Sequence, residues 1–189
     1  MEIIAALLFS ACSKKLPPGR EEQLQQMLTQ FFTVRSAGPG TPDGLWLAQK
    51  DSVAAVVEKK YLSAYQAKPD EMKKEEIRER LKSLSVLYRI EGRRFAMLTQ
   101  VADSVGVNVG TLSARPGARK GQIAFDATVR GKDGEVHAQV RYFAQGNAEK
   151  LEYIESGYTI SATRESRSVE ELVRYFTENL KATTILPQY

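Results

Sequence analysis

Reactive side chains are scarce in this chain. One cysteine and one histidine in 189 residues exclude an internal disulfide framework and any zinc site built from the usual Cys and His ligands. No apolar run approaches the ~20 residues a membrane-crossing helix needs. The glycines of "GVNVG" (106–110) and "GARKG" (117–121) match neither the Walker spacing nor the dinucleotide fingerprint, and they read as strand edges and turn. Charge of one sign is not gathered either. The pairs Lys59–Lys60, Lys73–Lys74, Arg93–Arg94 and Arg119–Lys120 lie mostly among acids, and the net charge is only +4. That is the pattern of a solvated surface, not of a nucleic-acid footprint. The sequence therefore assigns no catalytic residue, no metal ligands and no cofactor.

What is present begins at the N-terminus. Ile3 to Phe9 form an apolar run of the length of an export signal's hydrophobic part, and the small residues Ser10 and Ala11 precede the lone Cys12. Ser10-Ala11-Cys12 resembles the lipobox of bacterial lipoproteins, with Phe9 standing where that family usually has Leu. The resemblance implies that residues 1–11 are an export signal and that the Cys12 thiol carries acyl chains such as palmitate. Residues 12–22 are then a tether, which suits the polar, Pro-containing "SKKLPPGREEQ". By the family's sorting behaviour, Ser13 after the Cys implies delivery to the outer membrane, facing the periplasm. The other reading makes residues 3–9 the start of a buried element and Cys12 a small core side chain.

Residues 23–189 read as one domain. Leu24, Met27, Leu28, Phe31 and Phe32 lay one apolar stripe on a helix that "SAGPGTPDG" (36–44) breaks. Val53, Val56, Val57, Tyr61 and Tyr65 place a second helix over 51–66, and a charged helix follows from Pro69 to about Leu84. Over 86–105 a helical stripe competes with a hairpin. Gly92 and Glu91 interrupt the stripe, so the hairpin is preferred. "GQIAFDATVRGKDGEVHAQVRYF" specifies its own register: Val129 with Val136, Ala127 with Ala138, Phe125 with Val140 and Ile123 with Tyr142 put every apolar side chain on one face. "KLEYIESGYTI" is expected to be the next strand, with a bulge near Ile154 where its parity changes. Ser168 and Glu171 form a capping box for a last helix that buries Leu172, Val173, Phe176 and Leu180.

Helices, then strands, then a helix imply an α+β fold, in which an antiparallel meander is covered on one face by helices. The opposite face would carry Asp126, Thr128, Arg130, His137, Gln139 and Arg141. His137 has no nucleophile or second ligand beside it and is expected to be a solvated strand residue. Arginine is favoured at binding hot spots, so Arg130 and Arg141, with Arg115, Arg119 and Lys120 of the "ARPGARKG" loop, are the candidate partner-binding residues. The leading expectation is a non-catalytic, lipid-anchored binding or assembly protein of the cell envelope, with an envelope protein as partner. The alternatives are a small-ligand or lipid carrier with a cavity between helices and sheet, lined by residues such as Phe125, Val140 and Tyr142, and a cytoplasmic nucleic-acid binder using the basic loop and the polar sheet face.

Overall fold

Eight antiparallel strands, joined in sequence order, close into one barrel. The computed structural model describes residues 20–34, 40–57, 59, 82–101, 104–116, 121–131, 134–146 and 148–178. Within them the order is α1 (Arg20–Phe32), β1 (Gly44–Ala48), α2 (Lys50–Val57), β2 (Ser85–Glu91), β3 (Arg94–Val101), β4 (Ser104–Ala114), β5 (Gln122–Gly131), β6 (Gly134–Gln145), β7 (Ala148–Glu155), β8 (Tyr158–Arg164) and α3 (Val169–Glu178). The ring closes because β1 pairs on one side with β2 (Trp46 with Tyr88) and on the other with β8 (Trp46 with Arg164).

This overturns the expected α+β layer with one covered face. Two strands decide it. β1 is a five-residue run, "GLWLA", buried at every position but one, so it carries no period-two alternation to announce a strand. "GVNVG" is not an edge or turn but the middle of the eleven-residue β4. Gly110 lies close against β5: a Cβ there would lie 2.4 Å from the Thr128 carbonyl oxygen, so only glycine fits without moving the backbone.

Elsewhere pattern and structure agree. The hairpin reading of 86–105 holds, with Glu91 opposite Arg94 across a Gly92–Arg93 turn. The β5–β6 register is the expected one at all four apolar pairs. The parity change near Ile154 is not a bulge. It is the end of β7, where a two-residue turn at Ser156 (φ 52°) and Gly157 (φ 80°) sends the chain back as β8. Two left-handed residues in succession match the twist of the flanking strands. The capping box forms as expected: Glu171 N–H donates to Ser168 Oγ (3.2 Å) and Ser168 N–H to Glu171 Oε2 (2.8 Å). The expected helix from Pro69, apart from its end, and the residues Tyr61, Tyr65 and Leu180 lie outside the described residues.

Two apolar cores result. One lies inside the barrel, with Trp46, Tyr88, Phe95, Tyr142 and Tyr153 among its largest members. The other lies outside it. There α1 (Leu24, Leu28, Phe31, Phe32) and α3 (Leu172, Phe176) cover the outward side chains Leu45, Leu87, Leu98, Val105 and Val107 of β1–β4. Burying each such large apolar side chain stabilises the fold by roughly 1.5–3 kcal/mol.

Candidate functional site

The two ends of the barrel are built differently. At the lower end, where β1 begins and β8 stops, Arg164 lies over the Trp46 ring, 4.4 Å from its centroid. Its guanidinium forms a bidentate pair with Glu149. It also donates to the backbone carbonyls of Asp43 and Thr41, each at 2.7 Å. The Tyr142 hydroxyl donates to Glu149 at 2.6 Å, and Trp46 Nε1 donates to the Pro42 carbonyl at 2.8 Å. Arg164 beside it draws the Glu149 carboxyl down to about 2, against the opposing effect of burial and with help from Tyr142 and the Gly40 amide. Every donor of this cluster is aimed at the Gly40–Asp43 turn or at a side chain that holds it. The arrangement is a latch, and sequence reasoning missed it. The available signal was the single tryptophan after a Pro-Asp-Gly turn, together with an arginine ending the last strand.

At the upper end α2 lies across the barrel mouth. Val53, Val56 and Val57 join the interior core. Ser52 ties the helix to β8: its Oγ accepts from Ser161 N–H at 2.9 Å and donates to the Thr159 carbonyl at 3.4 Å.

The interior itself is uneven. Tyr88, Phe95 and Tyr153 form a three-ring stack with centroids 5.2–5.9 Å apart. On β4, β5 and β6 the inward positions include Gly106, Gly110, Ala127 and Ala138, as the pairings Thr99–Gly106, Phe95–Gly110, Leu112–Ala127 and Ala127–Ala138 require. Polar groups break this apolar surface, among them the Asn108 side chain, which shares the register of the inward Met97. The Tyr153 hydroxyl donates to Glu155 at 2.8 Å, and Glu155 is only 3% exposed. The hydroxyls of Tyr88 and Thr99, both residues fully buried, have no hydrogen-bond partner. Burial raises the pKa of both tyrosines, and Tyr153 pushes that of Tyr88 further up, so both remain phenols. None of these residues was a candidate on sequence grounds, because aromatic side chains at periodic positions look like ordinary core. Of the residues expected to line a cavity, Val140 and Tyr142 are packed in the core and Phe125 is half-buried.

The outer face of β5–β7 is polar, as expected for one side of the strand pair. A cleft of about 370 Å³ opens there between Asp126, Thr128, His137, Gln139, Ile154 and Ser156. His137 Nδ1 is 3.5 Å from Thr128 Oγ1. Arg130 pairs with Glu135 at 3.4 Å and Arg115 with Asp126 at 3.0 Å, all four side chains close to half-exposed or more. Arg141 donates to Gln139 at 3.1 Å. Ala124 is the register partner of Arg141, so the two arginines are six positions apart along β5, roughly 20 Å. The structure does not bring them into one cluster. Arg119, Lys120 and Cys12 lie outside the described residues. Among the described residues no group of three metal-ligating side chains occurs, and no helix is long and apolar enough to cross a membrane.

No family model, curated protein or solved structure matches the chain.

Proposed function

We propose that this chain is a non-catalytic carrier for one small, mainly apolar molecule, held within the barrel under α2, and that acyl chains on Cys12 tether it to the outer membrane. The observation that carries the reading is the pair of buried, unpartnered hydroxyls of Tyr88 and Thr99. A buried polar group left unpaired costs about 1–3 kcal/mol, and native proteins keep few of them. Two in one apolar interior are what a ligand site needs: an apolar, partly aromatic surface with a small number of polar groups that fix orientation. Eight strands enclose a space that either side chains fill or one small ligand occupies. The latch supports the same reading, since it fixes the Gly40–Asp43 turn at the lower end, away from α2.

A second reading, an assembly protein that docks through the outer face of β5–β7, is favoured by the cleft around His137 and by the absence of α1 and α3 from that side. The carrier is preferred because the outer-face Arg115, Arg130 and Arg141 already have hydrogen-bond partners, whereas the interior leaves two hydroxyls unmatched.

One experiment tests both halves of the proposal: mass spectrometry of the detergent-extracted protein, native and then denatured. The expected result is a non-covalent adduct that disappears on denaturation, on a chain that begins at Cys12 and keeps its acyl mass. A native mass equal to the denatured mass, with no small molecule in a solvent extract, would remove the carrier reading. An unacylated chain that keeps residues 1–11 would remove the tether.

A further inference from the structure

Resting on the carrier reading, we infer that the ligand carries an oxygen acceptor, of carbonyl or ether type, and docks it on the β2–β4 side of the barrel interior, with Tyr88 and Thr99 as the donors. The juxtaposition that points there is a set of inward polar side chains around Met97. Tyr88 is the partner of Met97 on β2, and Asn108 is its partner on β4. Thr99, two residues along β3, is diagonal to both, which puts its α-carbon roughly 7–8 Å from theirs. The next two strands differ. The inward positions Phe125, Ala127 and Val129 of β5 and Val136, Ala138 and Val140 of β6 are all apolar. A ligand held here meets polar groups on one side and apolar ones on the other.

The protein supplies neither hydroxyl with a partner. β3 is paired with β2 on one side and β4 on the other, so the backbone carbonyls around Thr99 are engaged in the ladders. The register partners of Thr99 are Val86 and Gly106, which have no polar side chain to offer. Tyr88 lies against the rings of Phe95 and Tyr153, and the Tyr153 hydroxyl is itself donated to Glu155. Burial, with Tyr153 beside it, raises the Tyr88 pKa well above the ordinary phenol range, so its hydrogen stays in place. A phenol donates better than it accepts, because its oxygen lone pair is shared with the ring. What each O–H lacks is an acceptor. A hydrocarbon leaves both unmatched, and so does a group that can only donate. A carbonyl oxygen has two lone pairs and an ester has two oxygens, so one such group can meet either hydroxyl or both.

The test compares two competitors of one shape: methyl nonyl ketone, and the alkene in which a =CH2 group replaces its oxygen. Each displaces the fluorophore N-phenyl-1-naphthylamine from the purified full-length protein, from Tyr88→Phe and from Thr99→Val, with the probe's own affinity measured on all three. In each variant the ketone is expected to bind roughly three- to tenfold more weakly, the scale of one neutral hydrogen bond, while the alkene is unchanged. Comparing the pair across variants cancels their different affinities for water. Without ligand, each variant is expected to unfold at a midpoint roughly 2–4 °C higher, because an unmatched buried hydroxyl has been removed. If one variant does not fold, the ketone-to-alkene ratio in the other decides. A ketone affinity unchanged in both variants, or a loss shared equally by the alkene, would overturn the acceptor inference and leave the carrier reading standing. Lower midpoints in both variants would overturn it too, since the hydroxyls would then be matched without a ligand, as by a bound water. Failure of the native protein to bind the probe or either competitor would overturn both.

Discussion

The two halves of the barrel wall obey different rules. Strands β1–β4 are apolar on both faces along much of their length, because the inner face meets the barrel core and the outer face meets α1 and α3. Strands β5–β8 bury mainly the inner face and show most of the outer one to water. In β2 the first four residues, Ser85 to Tyr88, are all buried, whereas in β6 and β7 burial alternates. A strand sandwiched between two cores takes its stability from both. A strand with one wet face takes it from one, and its outward residues are free to vary or to bind.

The largest effect that separates the halves is expected on the outer face. Leu87, wholly buried on the outside of β2, should cost about 2–5 kcal/mol when truncated to Ala, the usual range for a buried Leu. Thr128→Ala, on the outside of β5, should stay within about 0.5 kcal/mol. Urea unfolding of both variants checks this, and equal costs would mean that the helices contribute nothing to β2.

Next in size is the latch that joins the halves through β1 and β8. Arg164→Ala leaves Glu149 without its charged partner and should cost about 1.5–3 kcal/mol, the range for hydrogen bonds to charged groups. The sign of the pH dependence follows from the carboxyl. The folded-state value is about 2, against an ordinary 4.5, so the stabilisation is complete above pH 4.5 and is lost as pH falls from there through 2. Glu165, lowered by Arg167 despite its burial, fades on the acid side too. The thermal midpoint of the native protein should therefore drop between pH 5 and pH 2, and that of Arg164→Ala should drop less steeply over the same window.

The smallest stability effect is expected on the wet half. Arg130→Glu with Arg141→Glu, and separately His137→Ala, should shift unfolding by no more than about 0.5 kcal/mol. If the outer face of β5–β7 docks a protein, recovery of that partner from membrane extracts should fall in the double variant while the fold persists. Unchanged recovery would leave the barrel interior as the functional surface.

This difference between the halves also explains what was legible in the sequence. The register of β5 and β6 could be read residue by residue, because Asp126, Thr128 and Arg130 had to lie opposite the core side chains. In β1 the same reasoning had nothing to grip: Leu45, Trp46 and Leu47 point alternately into two different apolar environments. β4 hid for another reason. Its glycines at 106 and 110, one of them demanded by the close approach of β5, mimic turn signals. Without those two strands the remaining pattern looks like an open sheet covered by helices. The interior hydroxyls were illegible because a tyrosine's ring satisfies the periodicity of a core position, and nothing in its spacing tells whether its oxygen finds a partner.

Closure through the β1–β8 pair has a kinetic consequence. Trp46 and Arg164 are neighbours in space but lie near opposite ends of the described chain, so the last seam of the barrel cannot form until nearly everything between them is in place. Contacts of such long sequence separation slow folding. Until the seam closes, the curved sheet has two free edges, each able to pair with another chain. The native barrel has none. The hazard of misassembly is thus confined to the interval before closure, and a circular permutant that joins the ends and opens the chain within the β4–β5 loop would move the last seam from β1–β8 to β4–β5.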